Sequence, residues 1–304
     1  MKTIFTLLIP ASLLLAGCTA GEAPGTETVR PPVMATVPLT VESATVNAEV
    51  TTRVTTPLTS GSIGVFRLEG NGYPAINNRR YDYAPTAWEP NGGPENAVFL
   101  GGVAASVCAY HPWQAALNSV SIALTSQVLT NTDNDISFAT SREVDGSSAN
   151  KSTTFDMIRA YAKVTFKFQR DNYPGAGVVQ KVELKNLLPS ATLDIRDGTY
   201  SASTGTSGSS LSQTKNLTMP GTGTIAWGND ILLVPCTPTD TGMTIVITVD
   251  GKTMTTTIST ASYQPTRGVY TTITIAVQGT SIHATSVTTE AWTNTDIGPV
   301  IPTP

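Results

Sequence analysis

From Tyr161 to Phe168 the chain reads Tyr-Ala-Lys-Val-Thr-Phe-Lys-Phe, and its alternation predicts an extended strand with Ala162, Val164, Phe166 and Phe168 on the inward face. The same two-residue period recurs along the chain. Val37–Val41, Ala48–Val54 in a looser form, Ser62–Leu68, Val98–Leu100, Ala104–Tyr110 and Ser119–Leu124 read as strands before it. Val178–Leu184, Thr224–Trp227, Ile231–Val234, Met243–Val249, Lys252–Ile258, Tyr270–Val277 and Ile282–Val287 follow it. Turn residues separate them: Gly70-Asn71-Gly72 closes one strand, and Asp250-Gly251 supplies the positive φ values of a type I′ hairpin turn. Polar stretches rich in Asn, Pro or Gly read as loops: the one carrying Tyr81, Tyr83 and Trp88, then Asn131–Lys151, and a mobile Ser/Gly/Thr run from Ser201 to Ser212. Twenty-five Gly, 20 Pro and only 13% charged residues fit many short strands joined by turns, with no long amphipathic helix. The reading is all-β: two antiparallel β-sandwich domains in tandem, residues 36–157 and 158–304.

The amino terminus constrains where such a chain resides. Lys2 precedes a short apolar run, Ile4–Ala16, and then Leu15-Ala16-Gly17-Cys18. The run is too short to cross about 30 Å of hydrocarbon and reads as a secretory signal over residues 1–17. A cysteine directly after Ala-Gly is where a lipoprotein signal peptidase cuts once the thiol carries diacylglycerol, so Cys18 is the expected lipid site. Two or more acyl chains of the palmitate kind hold a protein firmly, since each buried CH₂ contributes about 0.8 kcal/mol. The small, polar, Pro-rich stretch that follows, residues 18–35, reads as a flexible tether.

Catalytic chemistry is hard to assemble from the rest. Cys108 and Cys236 lie far apart in apolar runs and read as buried free thiols. His111, in Ala109-Tyr110-His111-Pro112-Trp113, reads as a strand-end packing residue, and His283 as a strand residue. Nucleophile-base, phosphate-loop and zinc signatures are missing, so neither an enzyme nor a cofactor or metal is expected. Asp133 and Asp135 hint at calcium but lack the later Gly and Glu of an EF-hand loop, and a solvated turn is the expectation. A net charge of −4 argues against a nucleic-acid surface. Tyr81, Tyr83 and Trp88 are candidates for a sugar platform or, more simply, for packing.

Taken in order, the lipid motif, the linker, Thr51-Thr52-Arg53-Val54, Ile63-Gly64-Val65-Phe66, Trp88, Ala109-Tyr110-His111-Pro112-Trp113, Ala162-Lys163-Val164-Thr165-Phe166, and Tyr270–Val277 with Trp292 resemble the fimbrillin family of type V pilins. His111 departs from the aromatic usual there. The resemblance implies transthyretin-like domains, outer-membrane export as a lipoprotein on Cys18, and removal of the first strand by an Arg-specific protease. Arg53 is the position that matches the cleavage site, because Arg30 is followed by Pro31. The vacated groove would receive a strand from another pilin subunit, with Ser281–Pro304 as the candidate donor. Pro299 and Pro302 would each remove a ladder hydrogen bond from it. The implied function is a stalk, tip or anchor subunit of a fimbria that contributes to adhesion on a host or bacterial surface receptor. A monomeric, lipid-anchored glycan-binding protein is the rival.

Overall fold

The computed structural model describes residues 34–47, 55–239 and 241–292. The amino-terminal strands are β1 (Val37–Pro38), β2 (Thr40–Asn47), β3 (Thr55–Pro57), β4 (Ser62–Arg67), β5 (Ile76–Ala84), β6 (Ala87–Pro90), β7 (Phe99–Leu100), β8 (Ala105–His111), β9 (Ser121–Thr125), β10 (Gln127–Val128), β11 (Ser137–Val144) and β12 (Ser152–Arg159). The carboxyl-terminal ones are β13 (Ala162–Arg170), β14 (Val178–Lys185), β15 (Ser190–Asp194), β16 (Thr199–Tyr200), β17 (Ser210–Thr218), β18 (Thr224–Ala226), β19 (Ile231–Leu233), β20 (Met243–Val249), β21 (Lys252–Ile258), β22 (Val269–Gln278) and β23 (Ser281–Ala291). Two short 3₁₀ turns, Pro94–Asn96 and Thr132–Asn134, are the helical segments among the described residues, and none there is long and apolar enough to cross a membrane.

The chain is all-β, as its alternation requires. β13 turns Ala162, Val164, Phe166 and Phe168 into one core, where they meet Val182, Leu184, Ile245, Ile247 and Ile273. This core lies between the sheet β17-β14-β20-β21 and the sheet β10-β19-β13-β22-β23. The Asp250-Gly251 turn between β20 and β21 has φ values of 48° and 76°, the type I′ geometry expected of it. The Asp250 carboxylate also accepts the Gly177 and Val178 amides at 2.8 and 2.9 Å.

In the amino-terminal half one sheet runs β12-β11-β8-β4-β5-β6-β2-β3, and β2 pairs again with β12, so the sheet closes on itself around Val41, Val65, Tyr81, Val107, Phe155 and Met157. A third cluster contains Phe66, Cys108, Tyr110 and Phe138 from the first half with Leu193, Leu232, Val234 and Trp292 from the second. β9 pairs with β15 and β10 with β19, so strands before residue 158 enter sheets formed after it.

Several expectations change. Not every pairing is antiparallel: β2 runs parallel to β12 and β13 parallel to β22. Tyr81 and Trp88 lie in strands β5 and β6, not a loop, and are buried. The expected loop Asn131–Lys151 contains β11, and Ser201–Ser212 runs into β17. Asp135 is not solvated: it is buried in an ion pair with Arg159. Cys108 and Cys236 are buried free thiols, and burial pushes Cys108 up to about 12. Of the segments read as strands, Ala48–Val54 lies outside the described residues.

Candidate functional site

β1 and β2 occupy a seam between β7 and β12. Its backbone is held from several sides. The Thr36 amide donates to Leu100 at 3.0 Å, Leu39 to Val98 at 2.7 Å and Thr40 to Lys151 at 2.7 Å. From Thr40 opposite Ser152 to Asn47 opposite Ile158, β2 then runs along β12, with a register shift at Glu42. Its other edge is different. Val41 opposite Trp88 is the one register point recorded with β6, and Thr45–Asn47 pair with β3.

The alternation decides what the strand buries. Leu39, Val41, Ala44 and Val46 point inward and are at most 5% exposed, while Thr40 and Glu42 face solvent. The shift at Glu42 is what keeps Ala44 and Val46 on the inward face after Val41, since without it their parity would reverse. Burying a Leu or Val side chain is worth about 1.5–3 kcal/mol, so three such residues give the strand a firm seat.

Tyr81 reaches this seam from β5. Its hydroxyl donates to the Leu39 carbonyl at 3.3 Å and accepts the Val98 amide at 2.9 Å, bridging the first strand to the wall opposite. Burial pushes the phenol up to about 12, so it stays a donor across the physiological range. Sequence reasoning placed Tyr81 in a loop and missed this role. The signal available was its position in Arg80-Tyr81-Asp82-Tyr83, where charged and aromatic residues alternate. Thr45 adds a side-chain bond to Asp156 at 3.0 Å.

Cys18 and Arg53 lie outside the described residues. By connectivity Arg53 falls in the stretch that joins Asn47 to Thr55, two residues paired across β2 and β3. Of the candidate donor, Ser281–Ala291 forms β23, paired antiparallel with β22 along its length at the edge of its own sheet, and residues 293–304 lie outside the described set. Ile282 is buried and Ala284 and Val287 pack half-buried on the carboxyl-terminal core, with a register shift at Thr285. Relative to Ile282, those positions repeat the spacing of Leu39, Val41, the shift at Glu42, and Ala44.

His111 ends β8 half-buried, and burial with nearby Arg159 lowers it to about 4, a packing residue held neutral. His283 is exposed on β23. Tyr83 stacks edge-on against buried Trp88 with centroids 5.3 Å apart, so the three aromatics do not form a common exposed platform. An open cleft of about 630 Å³ beside them is lined by Asp82, Tyr83, Glu89, Asn91 and Pro94 among others. The Asp82 carboxyl lies below its usual range: hydrogen bonds from Ser62, Arg80 and Asn91 outweigh its desolvation. No group of His, Cys, Asp and Glu among the described residues could hold a metal ion.

A family model described as fimbrillin-like matches residues 52–292, a match that starts after β2. No curated protein matches. Among solved structures, a candidate cell adhesion protein from Bacteroides ovatus superimposes with a TM-score of 0.61 at 20% identity, covering 86% of this chain and 99% of that one. One from Bacteroides uniformis gives 0.58 at 17% identity, covering 84% and 99%. One from Parabacteroides distasonis gives 0.54 at 12% identity, covering 88% and 99%. At these identities the likeness is one of fold.

Proposed function

The chain belongs to the fimbrillin-like family, and from that premise we propose that it is a structural subunit of a cell-surface fimbria, contributing to adhesion and polymerised by strand replacement. Its family is one of fimbrial structural proteins, not an enzyme class. The protein travels as a lipoprotein anchored to the outer membrane through Cys18, an Arg-specific protease cuts after Arg53, and β1–β2 then leave. A strand from a neighbouring subunit takes the vacant place.

The observation that carries this reading is the way β2 closes the amino-terminal sheet. Among the described strands, β2 is the one whose loss, together with the adjoining Leu39, would open that ring at β12 and uncover the pockets of Leu39, Val41, Ala44 and Val46 at once. An open sheet edge beside apolar pockets is a template for strand addition, with backbone hydrogen bonds giving affinity and alternate pockets giving register. The match that begins at residue 52 also supports it, since the family-like part starts where the removable part ends.

For the donor we favour β23. Its Ile282, Ala284 and Val287, with the shift at Thr285, would address the Leu39, Val41 and Ala44 pockets in turn. To donate, it must leave β22. If it stays, the subunit occupies the tip or the anchor of the fibre.

Arg-specific digestion of the full chain followed by denaturing gel analysis tests the reading. The expected outcome is loss of the peptide ending at Arg53 and a ladder of SDS-resistant oligomers, with Arg53→Ala remaining monomeric. A chain that loses the peptide and stays monomeric, and binds polysaccharide through the Asp82–Tyr83–Glu89 cleft, would instead establish the glycan-binding alternative.

A further inference from the structure

Trp292 ends the described chain one residue after β23, and it is buried. Two cations flank its indole: the Arg159 guanidinium at 4.2 Å and the Lys163 ammonium at 4.8 Å from the ring centroid. Each cation has an acidic partner, Asp135 for Arg159 and Asp230 for Lys163 at 3.5 Å, and Lys163 also lies 4.1 Å from the Tyr270 ring. Both cations are at most 2% exposed. Desolvated cation–aromatic contacts are stronger than those in water, so the indole does more here than fill space. Apart from its backbone ladder with β22, β23 has few other side-chain anchors: Ile282 is buried, Ala284 and Val287 are half-buried, and most of its remaining residues are exposed. Beyond that ladder, Trp292 is therefore the largest side-chain fastening of this edge strand.

Arg159 ties this fastening to the other end of the molecule. It is the last residue of β12, directly after Ile158, which stands opposite Asn47 of β2. The ladder that holds β12 is uneven. Residues Ser152 to Ile158 pair with β2, whereas the pairing with β11 covers only Phe138 opposite Ile158 and Ser137 opposite Arg159. Once β2 goes, the ladder partners of Ser152 to Met157 go with it, and Arg159 is left on the Ser137 pair and the Asp135 ion pair at the end of a strand that has lost the rest of its ladder.

We propose that Arg159 and Trp292 form a latch coupling the two ends of the subunit: with β2 seated, Arg159 is held against Trp292 and β23 stays in its own sheet; with β2 gone, the contact loosens and β23 is freed. The device keeps an uncut subunit from offering its last strand. It rests on the strand-replacement reading above and adds an order of events to it. The two discrete arrangements that such coupling needs are the seated and vacated states of the β2 slot.

Hydrogen exchange read by mass spectrometry on the full chain, before and after cleavage at Arg53 with an arginine-specific endopeptidase, separates the inference from the reading beneath it. The expected result is release of the β1–β2 peptide, faster exchange in β12, and an increase of about tenfold or more over residues 281–291, each observed in a diluted sample before oligomers form. In Arg159→Gln, and in Trp292→Phe should Arg159→Gln fail to fold, residues 281–291 should exchange fast before cleavage and gain little from it. Release of the peptide with faster exchange in β12 but unchanged exchange in β23 would overturn the latch and leave strand replacement standing. A cut chain that keeps its β1–β2 peptide bound under assembly conditions would overturn both.

Discussion

Val41 stands opposite Trp88, and that pair is the single register point between β2 and β6, whereas on its other edge β2 runs parallel to β12 from Thr40 through Asn47. β2 is thus bound along its whole length on one edge, and on the other by the Trp88 pair and by β3 over Thr45–Asn47. Its seat comes mainly from inward side chains and the β12 ladder.

Substitution at the inward face should therefore matter before processing and not after it. Val41 is fully buried, and Val41→Asp places a carboxylate in an apolar pocket, which costs at least about 3 kcal/mol. Denaturant unfolding of the uncut chain should show that loss. Fibres built from the cut form should be as stable as wild type, because the substituted strand is no longer in them.

Tyr81→Phe should weaken the precursor by about 1–3 kcal/mol, since it leaves the Leu39 carbonyl and the Val98 amide without the hydroxyl that bridges them. Unchanged stability on denaturant unfolding would mean that water replaces the phenol.

His111 fixes a pH window. Burial, helped by Arg159 and opposed by Asp133, lowers it from 6.5 to about 4 in the folded chain. The unfolded chain therefore binds the proton first as pH falls, and stability declines from about pH 6.5 to about pH 4 and levels off below that, by on the order of 2 kcal/mol once partial exposure is allowed for. Carboxylates held below their usual range, such as Asp82, Asp194 and Asp250, act at lower pH, because the stability they add is lost only as pH falls past 3.8. His111→Asn should flatten the slope between pH 6.5 and 4 and leave the acid limb in place, as read from thermal unfolding at stepped pH.

Gly146 lies against the backbone of Val103, where a Cβ would come within 1.9 Å of the Val103 carbonyl. A backbone atom cannot rotate away as a side chain can. Gly146→Ala should cost roughly 2–3 kcal/mol and disturb the loop in which the Lys151 ammonium caps the Gly146 and Ser148 carbonyls, beside the start of β2. Loss of protection at Thr40 in hydrogen exchange would register it.

Much of the fold was legible because period and turn chemistry agree locally. Met243–Val249, Asp250-Gly251 and Lys252–Ile258 declare a hairpin on their own, and Ala162 to Phe168 declare a buried face. What stayed hidden is set by distant partners. β11 reads as loop because Thr140 to Glu143 are polar and exposed between its buried ends, and the start of β17 because Ser210 and Ser212 continue a Ser/Gly/Thr run. Asp135 looked solvated until Arg159, remote in sequence, folded over it. Tyr81 and Trp88 read as loop residues because the stretch around them is rich in Asn, Pro and Gly, and only closure of the sheet buries them. The parallel ladder of β2 and β12 has no local signature at all, since register between distant strands is a property of the folded sheet.

The central claim is that β1–β2 fill a slot that another strand can enter. Titrating the chain cut at Arg53 with a synthetic peptide of residues 36–47 tests it most directly, with binding followed by calorimetry and assembly by light scattering. The expected result is one peptide bound per chain and suppression of oligomers in proportion to occupancy, with a Val41→Asp peptide inert. A peptide that neither binds the cut chain nor slows its assembly would contradict the claim.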